Sequence, residues 1–428
     1  MSTTSDLVIG GRAPLRGRLR LPGCKGISHR ALVFAAIAEG DSHLRGLAPG
    51  ADVGSTLGAL DALGVVVHET GDSTTVEGRG FDGFAEPARV LDCGNSATTM
   101  RLLSGLLAGR PFLSVLTGDA SLVERPMARI AAPLRAMGAR IDGRNDGERA
   151  PLVIRGGALT GRHTRLSVAS GQVKTALVLA GFQASGITEI TEPGPSRDHT
   201  ERMLGATGAP IERTDDHTVR VRAGAPDPFD VEVPGDPSSA AFLVVAALIT
   251  PGSDLVLEDV LLNPGRIAFV EVLQRMGATI DVDEHDVRLG EPVGDLRIRA
   301  GSLVGTVVDC HEAIIDEVPA LAIAAAFADG VTEFRGAAEM RVKETDRIAT
   351  LEQELSKLGV GVEGSADGLT VRGGAPQAAT LDSHGDHRIA LAMAVAAHAI
   401  DHESTITGWD AAAVSYPSFA DDLERLTG

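Results

Sequence analysis

One feature constrains this chain more than any other, a pattern repeated six times. A short cluster of polar residues leads into a helical run rich in Ala, Leu and Val. Gly or a turn follows, and then a β-branched stretch that reads as a strand. The polar clusters begin near Pro22, Gly94, Ser170, Pro234, Asp316 and Gly385. Runs such as ALVFAAIAEG from Ala31, AAFLVVAALITPG from Ala240 and IALAMAVAAHAI from Ile389 follow them. A second, amphipathic helix keeps the same beat and stops each time at a glycine: Gly64, Gly138, Gly208, Gly277, Gly359 and finally Gly428. Gly just past a helix is the usual left-handed cap, and it turns the chain into the next strand.

The first and fourth clusters, LPGCKG from Leu21 and VPGDPS from Val233, match most directly and stand half the chain apart. A chain of 428 residues is too long for one ordinary core. The repeat therefore predicts an α/β protein of two similar domains with three repeats each. Residues 1–22 with 235–428 form one domain and residues 23–234 the other. Helices apolar on all sides are expected to be buried, with the sheets outside. Their N-terminal ends carry the polar clusters. Three such ends gathered at one face would pool free N–H groups and partial positive charge, which suits phosphates and carboxylates. The pattern predicts an anion-binding cleft between the two domains.

Composition narrows the function. The net charge is −19 and aromatics are only 3%, which argues against a general nucleic-acid binder. An anionic substrate would need a local positive pocket inside a negative protein. Cys24, Cys93 and Cys310 are scattered, with no CxxC pair, which points away from a disulfide framework and from zinc. MSTTSDLVIGG has no basic stretch leading into an apolar one, and the apolar runs are too short to span a bilayer. A reducing cytoplasm and no membrane are the expectation.

The polar clusters hold the candidate chemistry. Lys25 and Arg30 sit at the start of the first apolar helix, where a positive charge opposes the dipole. A bound anion would explain both. Asn95 and Thr98 are ordinary capping types, as is Ser170, and Ser196 suits a turn. Arg125 stands just before Pro126, as if in the first turn of a helix, and a guanidinium grips phosphate oxygens at two points. Asp316 precedes a nearly all-apolar helix, where it would cap; a carboxylate so placed can also accept a proton from an attacking hydroxyl, its pKa raised. In RVKETDR the alternating signs of Lys343, Glu344 and Arg347 fit a solvated helix end with local pairs. Asp386 and His387 directly precede Arg388 and would orient it; His384 and His387 lack a third ligand for a metal. There is no GxxxxGK[ST] phosphate loop and no GxSxG elbow.

Taken together, LPGCKGISHR, GNSATTMR, ERPM, SGQVKTAL, SRDHTERM, IIDEVP, RVKETDR and GDHRIAL resemble the 5-enolpyruvylshikimate-3-phosphate synthases among the enolpyruvyl transferases. The resemblance runs from about Leu21 to Phe419. It implies two domains of three βαβαββ units each, an inside-out α/β barrel architecture. It also implies an activity: transfer of the enolpyruvyl group of phosphoenolpyruvate to the 5-hydroxyl of shikimate 3-phosphate, with release of phosphate and no metal or other cofactor. By resemblance Lys25 and Arg125 meet the phosphate of phosphoenolpyruvate, and the loop of Asn95, Ala97 and Thr98 presents its backbone to that substrate. Arg30 would meet the shikimate carboxylate, Ser170 and Ser196 its 3-phosphate, and Gln172 its ring. Asp316 would bind the nucleophilic hydroxyl together with Lys343, Glu344 would protonate the methylene carbon, and Arg347 and Arg388 would hold the enolpyruvyl carboxylate. Ala97, where sensitive relatives have Gly, implies tolerance of glyphosate. Two positions depart from the pattern: Gly26 replaces a serine that binds the shikimate carboxylate, and Val414 replaces a lysine. The partners implied are small molecules only, acting on a monomer. The rival within the fold is the transferase acting on UDP-N-acetylglucosamine, which has Lys-Asn where this chain has Lys25-Gly26 and a loop Cys that the stretch Gly109–Pro126 lacks.

Overall fold

In a computed structural model that describes residues 5–428, the expected helices are buried. Every residue of Pro237–Ile249, Val318–Ala326 and His387–His398 is buried, as is Lys25–Ile37 from Ile27 onward. Gly171–Gly181 is buried apart from Gln172, and Ala97–Leu107 buries most of its length. Five of the six begin before the apolar runs, and Val318–Ala326 begins directly after Asp316 and Glu317, so the polar clusters lie in or beside the first helical turn. The reason is that capping and first-turn positions favour Ser, Asp and Pro, which an apolar count passes over.

The amphipathic helices follow at Ala51–Ala62, Ala128–Met137, His199–Ala206, Ala268–Arg275, Arg347–Lys357 and Phe419–Thr427. Gly64, Gly138, Gly208, Gly277 and Gly359 behind them all have positive φ, between 72° and 119°. The left-handed cap read from the sequence is there in each.

Around the helices lie sheets that repeat one order. Leu91–Asp92 pairs parallel with Leu113–Thr117, which pairs antiparallel with Arg149–Arg155, which pairs antiparallel with Arg140–Gly143. With the helices Ala97–Leu107 and Ala128–Met137 between them, these strands make a βαβαββ unit. His163–Arg165 begins a second such sheet and Val307–Asp309 a third. Two sheets are completed from far along the chain. Asp230–Glu232 adds in parallel to Glu39–Arg45, and Arg16–Arg20 adds in parallel to Asp254–Leu261.

The chain divides into two compact units. One comprises the chain up to Pro22, Pro234–Asp286 and Pro292–Gly428; the other comprises Gly23–Val233 with Val287–Glu291. In the first, the three buried helices Pro237–Ile249, Val318–Ala326 and His387–His398 pack on one another. In the second, Ala97–Leu107 packs closely on Gly171–Gly181.

That last contact depends on a missing side chain. A Cβ at Gly105 would lie 2.1 Å from the carbonyl oxygen of Ala176. Gly58, on the helix Ala51–Ala62, has nothing within 4 Å of the same position. Gly105→Ala is therefore expected to force two helices apart and to destabilise by about 1–3 kcal/mol or more. Gly58→Ala should be neutral or stabilise by up to about 1 kcal/mol, as a helix propensity gain. Thermal unfolding of both variants checks the contrast, and equal melting temperatures would refute the close-contact account.

Candidate active site

Each unit gathers charged side chains at the N-terminal ends of its buried helices. In the unit that contains the C-terminus, Arg347 is the centre. Only 1% of its side chain is exposed. Its Nε donates to Asp386 Oδ2 at 2.7 Å, and its Nη2 donates to Asp386 Oδ1 at 3.1 Å and to Glu344 Oε2 at 2.5 Å. Nη1 is buried and makes no hydrogen bond; Asp316 Oδ1 lies 3.6 Å from it. Burial alone would lower the pKa of this guanidinium, but Asp386 and Glu344 outweigh it and hold it raised. Burial likewise acts to raise Asp386, and Arg347 overrides it to keep the carboxyl below its usual value.

Arg388 joins the same cluster. Its Nη1 donates to the carbonyl oxygen of Asp316 at 2.8 Å, and its Nη2 lies 3.7 Å from Asp316 Oδ2. Lys343 Nζ is 3.6 Å from Asp316 Oδ1. Asp316 therefore stands amid three cations, contributed by the segment after Val331–Arg335 and by the first turn of His387–His398. Arg266 lies on the same side, donating from Nη2 to Ser238 Oγ at 2.8 Å and to Asp236 Oδ1 at 3.3 Å.

Three local expectations change here. Asp316 is not the capping residue: the helix begins at Val318 behind Glu317, which makes no side-chain cap, and Pro319 in the first turn removes one of the N–H groups a cap would satisfy. RVKETDR is not a solvated helix end; Glu344 and Arg347 do pair locally, but Arg347 is sealed in the interior. Asp386 caps the His387–His398 helix through the Arg388 N–H and grips the guanidinium of Arg347, so the side chain it orients is Arg347.

The other unit presents a second set. Lys25 Nζ is 3.0 Å from Asp52 Oδ2, so Asp52 supplies part of the compensating charge that the sequence leads one to seek from an anion. Arg30 is 3% exposed and runs among the helices. Its Nε donates to Thr200, its Nη1 to the carbonyl of Gly26, and its Nη2 to Thr175 Oγ1 and the carbonyl of Gly171. Burial pulls it down to about 10. Arg101 donates to Gln172 Oε1 at 2.6 Å, and Gln172 Nε2 donates to Thr98 Oγ1 at 2.9 Å. Arg125 Nη2 donates to Asn95 Oδ1 at 3.1 Å, and Asn95 Nδ2 donates to Asp119 at 2.7 Å.

Ser170 does cap its helix, accepting from the Val173 N–H. Asn95 and Thr98 do not cap; Ser96 between them does, accepting from the Thr99 N–H at 3.1 Å, and Ala97 is the first helical residue. Arg125 lies outside the helix Ala128–Met137, directly after the short turn Leu122–Glu124. His199 is fully buried, with Nδ1 2.7 Å from Glu291 Oε1.

Sequence reasoning missed Asp52, Asp119, Arg266 and Lys174. Lys174 had a signal, being a lone charge inside an apolar run; Arg266, in NPGRIAF, had none.

Residues 9–423 match the family described as EPSP synthase (3-phosphoshikimate 1-carboxyvinyltransferase). The chain belongs to the EPSP synthase family. It is 53% identical to the 3-phosphoshikimate 1-carboxyvinyltransferase of Chloroflexus aurantiacus over 420 residues, 96% of this chain and 97% of that one. It is 46% identical to the enzyme of that name from Bacillus licheniformis, over 97% and 98% of the two chains. The EPSP synthase structure from Acinetobacter baumannii superposes with a TM-score of 0.88 at 40% identity, covering 98% of each chain. The enolpyruvyl transferase NikO from Streptomyces tendae shares the fold, with a TM-score of 0.79 at 20% identity. The matches span nearly all of this EPSP synthase family member, including both polar clusters.

A buried relay supports the second cluster. His29 Nδ1 is 2.7 Å from Thr56 Oγ1, which is 2.7 Å from Thr99 Oγ1, which donates to the capping Ser96 at 2.8 Å. Burial pushes His29 down to about 3, so it is neutral. Between pH 6.5 and about 3 the unfolded chain carries a proton on this residue that the folded chain does not. Stability therefore falls as pH falls through that window, by up to about 1.4 kcal/mol per unit. His29→Asn should flatten the acid limb of the stability curve. Unfolding measured from pH 7 to 4 checks this, and parallel curves for the two proteins would contradict a buried neutral histidine.

Proposed function

We propose that the chain transfers the enolpyruvyl group of phosphoenolpyruvate to the 5-hydroxyl of shikimate 3-phosphate and releases phosphate. The observation that carries this reading is Arg347 Nη1, a buried cationic donor with no hydrogen bond, flanked by Asp316 and Glu344. A buried donor of this kind suits an anionic ligand, and the two carboxylates are the acid/base groups the addition needs. The acceptor hydroxyl loses its proton to Asp316 and attacks C2, while C3 takes a proton from Glu344. The tetrahedral adduct then loses phosphate as C3 gives a proton back to Glu344, which restores the double bond, and the proton taken by Asp316 passes to the departing phosphate. Arg347 and Arg388 hold the carboxylate, and Lys25 and Arg125 hold the phosphate. Arg30, Ser170, Gln172, Ser196 and Lys343 take the acceptor, and Asn95, Ala97 and Thr98 line the phosphoenolpyruvate side. The architecture fitting this assignment is the inside-out barrel of three βαβαββ units in each unit. The reading also includes a cytoplasmic monomer acting on small molecules; in the described residues no helix is long and apolar enough to cross a membrane.

Phosphate release from phosphoenolpyruvate, with and without shikimate 3-phosphate, tests the activity directly. Release that depends on UDP-N-acetylglucosamine instead would overturn it. Glu344→Gln and Asp316→Asn should each slow turnover by about 10²–10⁴ while both substrates still bind. A variant that lost only affinity would show its residue to be a ligand and no proton-transfer group.

The reading extends to tolerance of glyphosate. Ala97 is the first residue of its helix and 6% exposed, one position after the cap and one before Thr98, which is bonded to Gln172. Its methyl group occupies space that a glycine would leave to the longer inhibitor, in a region packed at interior density. Ala97→Gly is expected to lower the inhibitor concentration needed for half-inhibition and to leave the KM for phosphoenolpyruvate little changed. Superimposed inhibition curves for the two proteins would refute the steric account.

A further inference from the structure

Beneath the two serines assigned to the acceptor phosphate lies a charged cluster that the reaction itself does not use. Lys174 is 2% exposed, inside the helix Gly171–Gly181. Its Nζ lies 2.6 Å from Glu192 Oε2, 2.7 Å from Glu201 Oε1 and 2.9 Å from Ser196 Oγ. The second oxygen of Glu192 accepts the backbone N–H of Ser170 at 3.1 Å. One buried ammonium and one carboxylate thus tie together both serines.

The chemistry of the donor set then decides a direction. An ammonium has three N–H donors and accepts nothing. Lys174 has three partners, so each receives one bond and Ser196 Oγ must accept from the lysine. The Ser196 hydroxyl proton is left to point away as a donor. Ser170 Oγ accepts from the Val173 N–H, which leaves its proton free in the same sense. Two hydroxyls so committed suit a group that only accepts hydrogen bonds, as a phosphate dianion does. Burial acts to lower Lys174, but Glu201 and Glu192 outweigh it and hold it raised, so the ammonium form persists.

We infer that Lys174 is a positioning residue that orients Ser196 as a hydrogen-bond donor and so sets the preference of this chain for a phosphorylated acceptor. The inference rests on the functional reading above, in which Ser170 and Ser196 meet the 3-phosphate. It adds the device by which those serines discriminate.

The test compares shikimate 3-phosphate with shikimate as acceptor, in wild type, Lys174→Met, Ser196→Ala and the double variant. Lys174→Met should raise the KM for shikimate 3-phosphate about 10–100-fold, the usual worth of hydrogen bonds to a charged group. The KM for phosphoenolpyruvate should move less than about twofold, and the preference for the phosphorylated acceptor should fall by the same factor as its kcat/KM. The double variant should be no worse than the worse single one, since both remove one interaction. Lys174→Met/Glu201→Gln removes one of the two carboxylate charges that the lost ammonium strands, and it serves if the single variant does not fold. Equal losses for both acceptors, or additive effects of Lys174→Met and Ser196→Ala, would overturn the inference while leaving the functional reading intact. Failure of both lysine variants to fold would mark Lys174 as purely structural and overturn it too. A wild type that releases no phosphate with shikimate 3-phosphate would overturn the functional reading, and this inference with it.

Discussion

Burial of helices on every side is the constraint on which the rest of the structure depends. A helix such as Pro237–Ile249 exposes none of its residues, so its flanks cannot carry function and only its ends remain available. The C-terminal ends lead into strands. The N-terminal ends hold Asp236, Ser238, Asp386 and Arg388 in one unit and Lys25, Ser96 and Ser170 in the other. Packing such helices side by side brings their polar starts within reach of one another, as when Arg388 bonds to the carbonyl of Asp316 or Arg101 to Gln172. The core and the candidate site are two consequences of one arrangement.

Close approach of the helices also explains the composition. With few aromatics, the interior is filled by Ala, Leu, Val and Ile, and small residues let backbones come near. Gly105 against Ala176 is the extreme case. The same closeness buries most side chains at the helix starts. Charges there are paired, as in Lys174 with Glu192 and Glu201 or Arg347 with Asp386, because an isolated buried charge is costly. Where a buried cation keeps an unused donor, as at Arg347 Nη1, the missing partner is naturally sought in a ligand.

The two clusters differ in kind. Around Arg347, carboxylates and cations crowd within about 4 Å of one another, which suits proton transfer beside a held anion. Around Ser170 and Ser196, the charges lie beneath hydroxyls and act through them.

The sequence by itself determined the repeats, the buried helices, their glycine stops and the residues that carry charge at each helix start. All of these depend on local periodicity and on residue type, which a single strand of text contains. It also carried the motifs through which the family is recognised. Only the tertiary structure decided partnership. Asp52 beside Lys25, Glu291 beside His199 and Asp386 around Arg347 lie tens of residues or more from their partners, and nothing periodic links them. Ser170 was placed correctly as a cap, but the cap of the helix Ala97–Leu107 was misplaced by one or two residues for a related reason. Which of Asn95, Ser96 and Thr98 closes a helix turns on backbone angles that all three residue types tolerate, and packing chose Ser96. Lys174 shows the boundary most plainly. Its charge inside an apolar run was visible in the text, but its three partners became known only once the chain had folded and brought two glutamates and a serine to the same nitrogen.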